Sequence, residues 1–352
     1  MSEHGPNAPA GHNGQLQRYR AELAPGTALR EGLDRVVHGG TGALVVLGEN
    51  AALRGLCTGG FSIDAPLTAT NLRELAKLDG AIICSDDHQM IHGAGIHLMP
   101  DPSLPAVETG TRHRTAERVA QQTHLPVVAV SASMGTISLY VEGRRVPVEP
   151  PAAVMVRANQ AMQTLQRYQE RLGQVLDRLS MLEIQDQVSV RDVIVVIQRW
   201  ERVRRLEEET AGYVDELGSD GRLLEMQLLE ITVDTASLPT QLENDYLPEG
   251  HSLTDLAALS DADLVDTMHI ARTLGMPDAL ETRVRPFGYR QLANVPRLPA
   301  NVALRLVDEF GDLQGLLGAT HADLLAVDGI GSGRAKNIRD TLSRAAELAL
   351  SE

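Results

Sequence analysis

The stretch Glu108–Ala120, ETGTRHRTAERVA, decides how the first half of the chain is read. Two arginines flank a histidine at Arg112-His113-Arg114, with Thr111 and Thr115 on either side. The run from Thr115 onward has helix-forming composition. Gly110-Thr111 is the expected entry, with Thr111 as the capping hydroxyl. The first turn of a helix offers unpaired N–H groups and a partial positive charge, which suits a phosphate. Arginine forks placed there can grip phosphate oxygens in pairs. The alternative is a solvated helix start whose arginines pair with Glu108 and Glu117. No G-x-x-x-x-G-K-[ST] occurs, so a Walker-type cradle has no support.

A second stretch lies upstream. TNLRELAKLDGA reads as a helix that closes at Asp79-Gly80-Ala81 and opens the apolar strand Ala81–Cys84. Glycine there lets backbone approach a ligand closely. An aspartate at a strand edge can hold a divalent ion that bridges phosphates.

The 352 residues suggest two or three domains. Aromatics are only 3%, so the cores must be built from Leu, Val, Ile and Ala. Cys57 and Cys84 sit in apolar runs without metal-ligand spacing and read as buried thiols of a reducing compartment. The start lacks the pattern of a signal peptide, and no apolar run approaches a membrane span. The net charge of −15 is concentrated in residues 151–285, with 13 basic against 24 acidic residues, which argues against a broad nucleic-acid surface there.

Taken in order, residues 1–15 read as a disordered tail rich in Gly, Pro, Asn and His. Residues 16–150 read as one α/β domain on a mixed central sheet. Strands are expected at 43–47, 51–58, 80–84, 89–98, 126–131 and 135–148. Helices are expected at 16–23, 28–38 (capped by Thr27), 69–78 and 112–123. Gly39-Gly40-Thr41-Gly42 reads as a helix-to-strand turn. His92 and His97 differ by an odd number and face opposite sides of a strand, so they do not form a metal pair. Residues 151–285 read as an all-α spine. Apolar residues recur at Ala161, Leu165, Tyr168, Leu172, Val175, Leu179 and Leu182. Ser189-x-x-Asp192 caps a second long helix, on which Arg202, Arg204 and Arg205 and Glu207–Glu209 read as a self-paired solvated face. Shorter helices are expected near 221–232, 252–259 and 261–274.

Residues 286–352 carry Leu324–Asp328, then Gly329-Ile330-Gly331-Ser332-Gly333, then Arg334-Ala335-Lys336. A helix precedes these glycines where a dinucleotide-binding turn needs a strand. The run resembles a helix-hairpin-helix element, whose hairpin N–H groups hold a DNA phosphate without reading bases. Positive φ is expected at Gly331, and Leu298–Phe310 reads as a degenerate partner copy. Gly329, Ile330, Gly331, Ser332, Gly333, Arg334 and Lys336 are the candidate DNA contacts.

Asp79-Gly80-Ala81 and, 33 residues on, Arg112-His113-Arg114, in the order LRELAKLDGAI, GAGIHLMP, GTRHRTAE, resemble the catalytic domain of the diadenylate cyclases. With the C-terminal module they resemble the DNA-integrity scanning branch. The resemblance implies an enzyme that condenses two ATP into cyclic di-AMP. Asp79 would hold Mg²⁺ or Mn²⁺, and Gly80 would admit the nucleotide. Thr111, Arg112, His113, Arg114 and Thr115 would hold the phosphates, Leu98 the adenine end, and Ser131 would be a further ATP contact. It also implies a cytoplasmic homo-octamer with catalytic domains face to face, and branched DNA as a partner. Two other readings are a DNA-junction sensor that binds ATP only as a regulator, and a hydrolytic ATPase.

Overall fold

A computed structural model describes residues 18–141 and 143–351; the tail expected over 1–15 lies outside them. The chain divides into two compact units. One runs to Gln160 and includes Thr210–Met226; the other comprises Ala161–Glu209 and the residues from Gln227 onward.

In the first unit the order is α1 (Ala28–His38), β1 (Ala43–Leu47), α2 (Ala51–Leu56), β2 (Cys57–Thr58), β3 (Phe61–Pro66), α3 (Ala69–Leu75), β4 (Ala81–Cys84), β5 (Met90–Leu98), α4 (Thr111–Thr123), β6 (Val127–Ser131), β7 (Thr136–Val141) and β8 (Arg144–Val148). The strands form one mixed sheet in the order β2-β5-β4-β1-β6-β7-β8, with β3 also on β5. Among the described residues only β1 and β4 run parallel; the other pairs are antiparallel.

The burial of β1 explains the layering. All five of its residues are buried, and successive side chains leave opposite faces. Val45 and Leu47 join Leu29, Leu33 and Leu72 from α1 and α3. Leu44 and Val46 join Leu53, Leu56, Ala116, Val119 and Ala120 from α2 and α4. Helices therefore cover both faces. One expectation fails here. Residues 51–56 form a helix, because the Asn50 side chain accepts a hydrogen bond from Leu53 N and caps it. Only Cys57–Thr58 of that run is strand, and β3 is additional.

The second unit is helical. Helix α5 (Pro151–Ile184) starts in the first unit and continues into the second. Leu165, Leu172 and Leu179, seven residues apart, are fully buried, as a coiled-coil-like seam requires. The capping box of α6 (Val190–Leu217) forms between Ser189 and Asp192. The self-paired face is anchored differently from expectation. Arg204 and Arg205 both bind buried Glu201, at 2.7 and 2.8 Å, and Arg204 also reaches Glu208. Residues 253–258 form a 3-10 turn, and the helix expected over 261–274 is confined to Thr267–Thr273, capped by Asp266.

The C-terminal helices are Tyr289–Ala293, Ala300–Phe310, Leu313–Gly318, His321–Ala326 and Ser332–Ser351. They share a core of Val295, Val302, Leu306, Leu324, Ile330, Ala335, Ile338 and Leu342. A buried polar cluster ties this module to the spine. The Asp245 carboxylate accepts from the N–H groups of Gly288, Tyr289 and Arg290. Glu183 accepts from Arg290 Nε, Gln291 and Tyr246.

Candidate functional site

Strands β1 and β4 are parallel, so the residues preceding both, Gly42 and Asp79-Gly80, lie at one end of the sheet. The pairing Ala43↔Val130 brings Ser131 to that end, and Ala81↔Ile96 brings Leu98. Gly80 has φ +123, and a Cβ on it would stand 2.6 Å from the Gly95 carbonyl carbon and 2.8 Å from Ile96 N. Only glycine fits, and the Asp79 carboxylate is left exposed at the rim.

Helix α4 brings the arginines. Its N-cap is Gly110 and no side chain caps it, so Thr111 is the first helical residue and not the capping hydroxyl expected. The first intrahelical bond is Arg114 N to Gly110 O, which leaves the amides of Thr111, Arg112 and His113 without helical partners. The Arg112 guanidinium rests against Gly42, where a Cβ would collide with Nη1. The glycine turn before β1 is thus also the seat of this arginine.

The expected alternative pairing does not occur. Glu108 accepts instead from Tyr140 (2.9 Å) and Arg145 (3.1 Å). Buried Glu117 accepts from the N–H groups of Val107 and Glu108, which pins the loop entering α4. Among the described residues neither Arg112 nor Arg114 has an acidic partner, and both are exposed.

His113 differs from its neighbours. It is 8% exposed, and its Nδ1 lies 2.9 Å from the Tyr140 hydroxyl. That hydroxyl donates its proton to Glu108, so its oxygen accepts from His113 Nδ1–H. Nε2 then carries the lone pair, and it is buried without a partner. Burial holds the imidazole pKa below its usual value, against the pull of Glu108, so the ring is neutral at pH 7. A neutral, Tyr140-tethered ring fixes the first turn of α4. Nitrogen-15 NMR should therefore show His113 as the Nδ1-protonated neutral tautomer. Tyr140→Phe should abolish that signature and lower stability by about 1–3 kcal/mol, since it strands a buried donor. An Nε2-protonated ring in the unaltered protein would contradict this assignment.

The remaining candidates are placed as follows. Thr111 is exposed and Thr115 half-buried on α4. The Leu98 side chain is buried in the core that the sheet forms with α2 and α4. Ser131 Oγ accepts from Met134 N at 3.3 Å, inside the β6–β7 turn. Sequence reasoning missed Gly42, Glu108 as an anchor, Tyr140 and Arg145. The glycine run was the one available signal among them.

No three His, Cys, Asp or Glu side chains among the described residues form a metal-holding group. A single exposed carboxylate suits an ion whose other ligands are phosphate oxygens and water, which is the common Mg²⁺ arrangement. Elsewhere, in a cleft of about 440 Å³, His92 lies 3.4 Å from Glu49 and 3.6 Å from Asp64. Cys84 is buried, with its pKa pushed up to about 12 by burial, and is inert.

In the C-terminal module the hairpin Val327–Gly331 joins two helices. Its positive φ falls at Gly329 (+86), not at Gly331 as expected. Gly331 has open space around its missing Cβ, and its carbonyl accepts the first bond of the following helix. Arg334 is folded back onto the Gly329 carbonyl at 2.7 Å. Ile330 is buried, whereas Ser332, Gly333 and Lys336 are exposed. A second turn with a left-handed residue precedes the helix Ala300–Phe310. Arg297, at φ +57, occupies the place of Gly329.

A sheet end of an α/β domain that gathers a glycine-opened carboxylate with an uncapped, arginine-bearing helix start has the features of an anion-binding site. Residues 30–145 match the model for the DisA bacterial checkpoint controller nucleotide-binding domain, and residues 148–283 match that for the DisA bacterial checkpoint controller linker region. The chain is 52% identical to the DNA integrity scanning protein DisA of Frankia alni over 94% of this chain and 95% of that one. It is 49% identical to the protein of that name from Streptomyces coelicolor, over 97% and 95%, and 49% to that of Kineococcus radiotolerans, over 96% and 97%. The chain belongs to the DNA integrity scanning protein DisA family. No described helix is long and apolar enough to cross a membrane.

Proposed function

We propose that this protein condenses two ATP into cyclic di-AMP and couples that reaction to contact with branched DNA in the cytoplasm. The observation that carries the reading is the pair Arg112 and Arg114, unpaired at an uncapped helix start, sharing a sheet end with exposed Asp79. Each 3′-hydroxyl gives up its proton to solvent or the departing pyrophosphate as its oxygen bonds to the α-phosphorus of the other ATP, the bond to pyrophosphate breaks, and two pyrophosphates leave. Asp79 would hold Mg²⁺ or Mn²⁺, which would supply positive charge beside the phosphates. The amides of Thr111–His113, the two guanidinium groups and the Thr111 and Thr115 hydroxyls bind phosphate oxygens. Gly80 gives the nucleotide close access to backbone. The Leu98 backbone and Ser131 border the adenosine end.

The reaction joins two nucleotides symmetrically, so two catalytic domains must face each other across the bound pair. Leu78, Met99 and Val107, neighbours of Asp79, Leu98 and Glu108, are exposed apolar residues that suit such a facing rim, Val107 at 91% exposure. An assembly of eight chains provides the pairing. Activity per chain should fall on dilution, and mixing with Asp79→Asn chains should accumulate a singly joined, open dinucleotide. A dilution-independent rate from demonstrably monomeric protein would remove the facing arrangement.

For DNA, the hairpin at Gly329 and the exposed backbone from Gly331 to Gly333 supply phosphate contacts, with Lys336 adding charge. The module carries 7 basic against 8 acidic residues, so one copy binds weakly. Several copies on one assembly engage the arms of a branched duplex, and linkage raises avidity by roughly 10²–10⁴. The two glycines separate cleanly. Gly329→Val should abolish DNA retention in a gel shift, because it combines positive φ with a Cβ 2.9 Å from the Arg305 guanidinium. Gly331→Ala should retain it. The reverse order would return the essential glycine to position 331.

A further inference from the structure

We propose that Arg297 is a second DNA-phosphate contact, carried by the first hairpin of the module at the position that glycine fills in the second. The inference rests on the DNA reading above and extends it to a part of the chain that reading leaves unused.

The two copies match in their bonding. Val295-Pro296-Arg297-Leu298-Pro299 corresponds to Val327-Asp328-Gly329-Ile330-Gly331. Leu298 N donates to Val295 O as Ile330 N donates to Val327 O. Ala303 N then bonds Pro299 O as Ala335 N bonds Gly331 O, opening a helix in each copy. Each hairpin turns at a left-handed residue, Arg297 at φ +57 and Gly329 at φ +86.

The tips differ chemically. The second presents free backbone, but Asp328 stands beside it with its side chain 94% exposed. The first has prolines at 296 and 299, which carry no N–H, so it cannot hold phosphate through those amides. What it offers instead is an exposed guanidinium. Glycine would adopt φ +57 at lower cost, so the arginine here is held against backbone preference.

Elimination points the same way. Arg290 is buried on Glu183, Arg305 pairs with Asp328, and Arg334 bonds Gly329 O. Arg339 bonds the carbonyls of Leu317 and Ala319, and Arg344 that of Asp340. Among the described residues of the module, Arg297 and Lys336 are the cations with no such partner, one serving each hairpin. Two separated cations let the pair of hairpins touch two stretches of backbone, whereas either alone neutralises one.

The test uses the full-length chain and a fluorescein-labelled duplex and three-way junction, with affinity measured across a salt series. Arg297→Gly removes the guanidinium and suits the backbone, so its melting temperature should equal or exceed that of the unaltered protein. Its DNA affinity should drop roughly tenfold, and the slope of log affinity against log salt should shrink by about 0.9. Arg297→Lys should recover most of the slope. A folded Arg297→Gly protein with unchanged affinity and slope overturns the proposal while leaving DNA binding by the second hairpin intact. Absence of DNA binding by the unaltered protein overturns both.

Discussion

Replacing Asp79 with asparagine is expected to leave ATP binding nearly intact and to lower turnover by at least about 10³-fold. The arginines, the uncapped amides of α4 and the backbone opening at Gly80 all remain in that variant. What disappears is the negative charge at the rim that the proposed divalent ion needs. Such a group acts mainly in the transition state, so its loss falls on turnover and not on affinity. Asparagine keeps the size and the local backbone, which excludes a folding explanation. Equilibrium ATP binding and initial rates on the same preparation decide the matter. Near-normal turnover by the Asp79→Asn protein would remove this residue from the mechanism.

Arg112→Ala should behave differently, weakening ATP binding and slowing the reaction together. A guanidinium bonded to phosphate contributes about 1.5–3 kcal/mol per charged hydrogen bond, so losing a two-bond fork should cost roughly 10²–10⁴ in kcat/KM. Because Arg112 rests against Gly42 and pairs with no carboxylate among the described residues, its removal strands no buried charge. The protein should therefore melt at its ordinary temperature. A loss of kcat/KM accompanied by an equal loss of stability would point to a structural role instead. Arg112→Lys should recover only part of the loss, since an ammonium lacks the planar fork.

Several features of this site are legible from residue type and spacing alone. The glycine after Asp79 and the arginine-histidine-arginine run announce themselves by composition, and the structure brings Gly80 and Arg112 to one end of the sheet. The mixed sheet and the spine's seven-residue seam follow from periodicity. Other features depend on contacts distant in sequence. Nothing local says that Glu108 turns away from Arg112 toward Tyr140 and Arg145, because that depends on the β7–β8 register. Nor does Gly42 reveal itself as the seat of a side chain seventy residues on. The run at 51–58 misleads because a short apolar stretch fits strand and helix alike, and Asn50 decides it by capping. Arg297 stays hidden because a left-handed residue other than glycine leaves no mark in the sequence.

The central claim is the reaction itself. Purified full-length protein incubated with ATP and Mg²⁺, with products separated chromatographically, measures it directly. The expected result is one cyclic di-AMP and two pyrophosphates for every two ATP consumed, with no ADP. ADP with orthophosphate would make the protein a hydrolytic ATPase, and unchanged ATP alongside retained DNA binding would make ATP a regulatory ligand; either result contradicts the account.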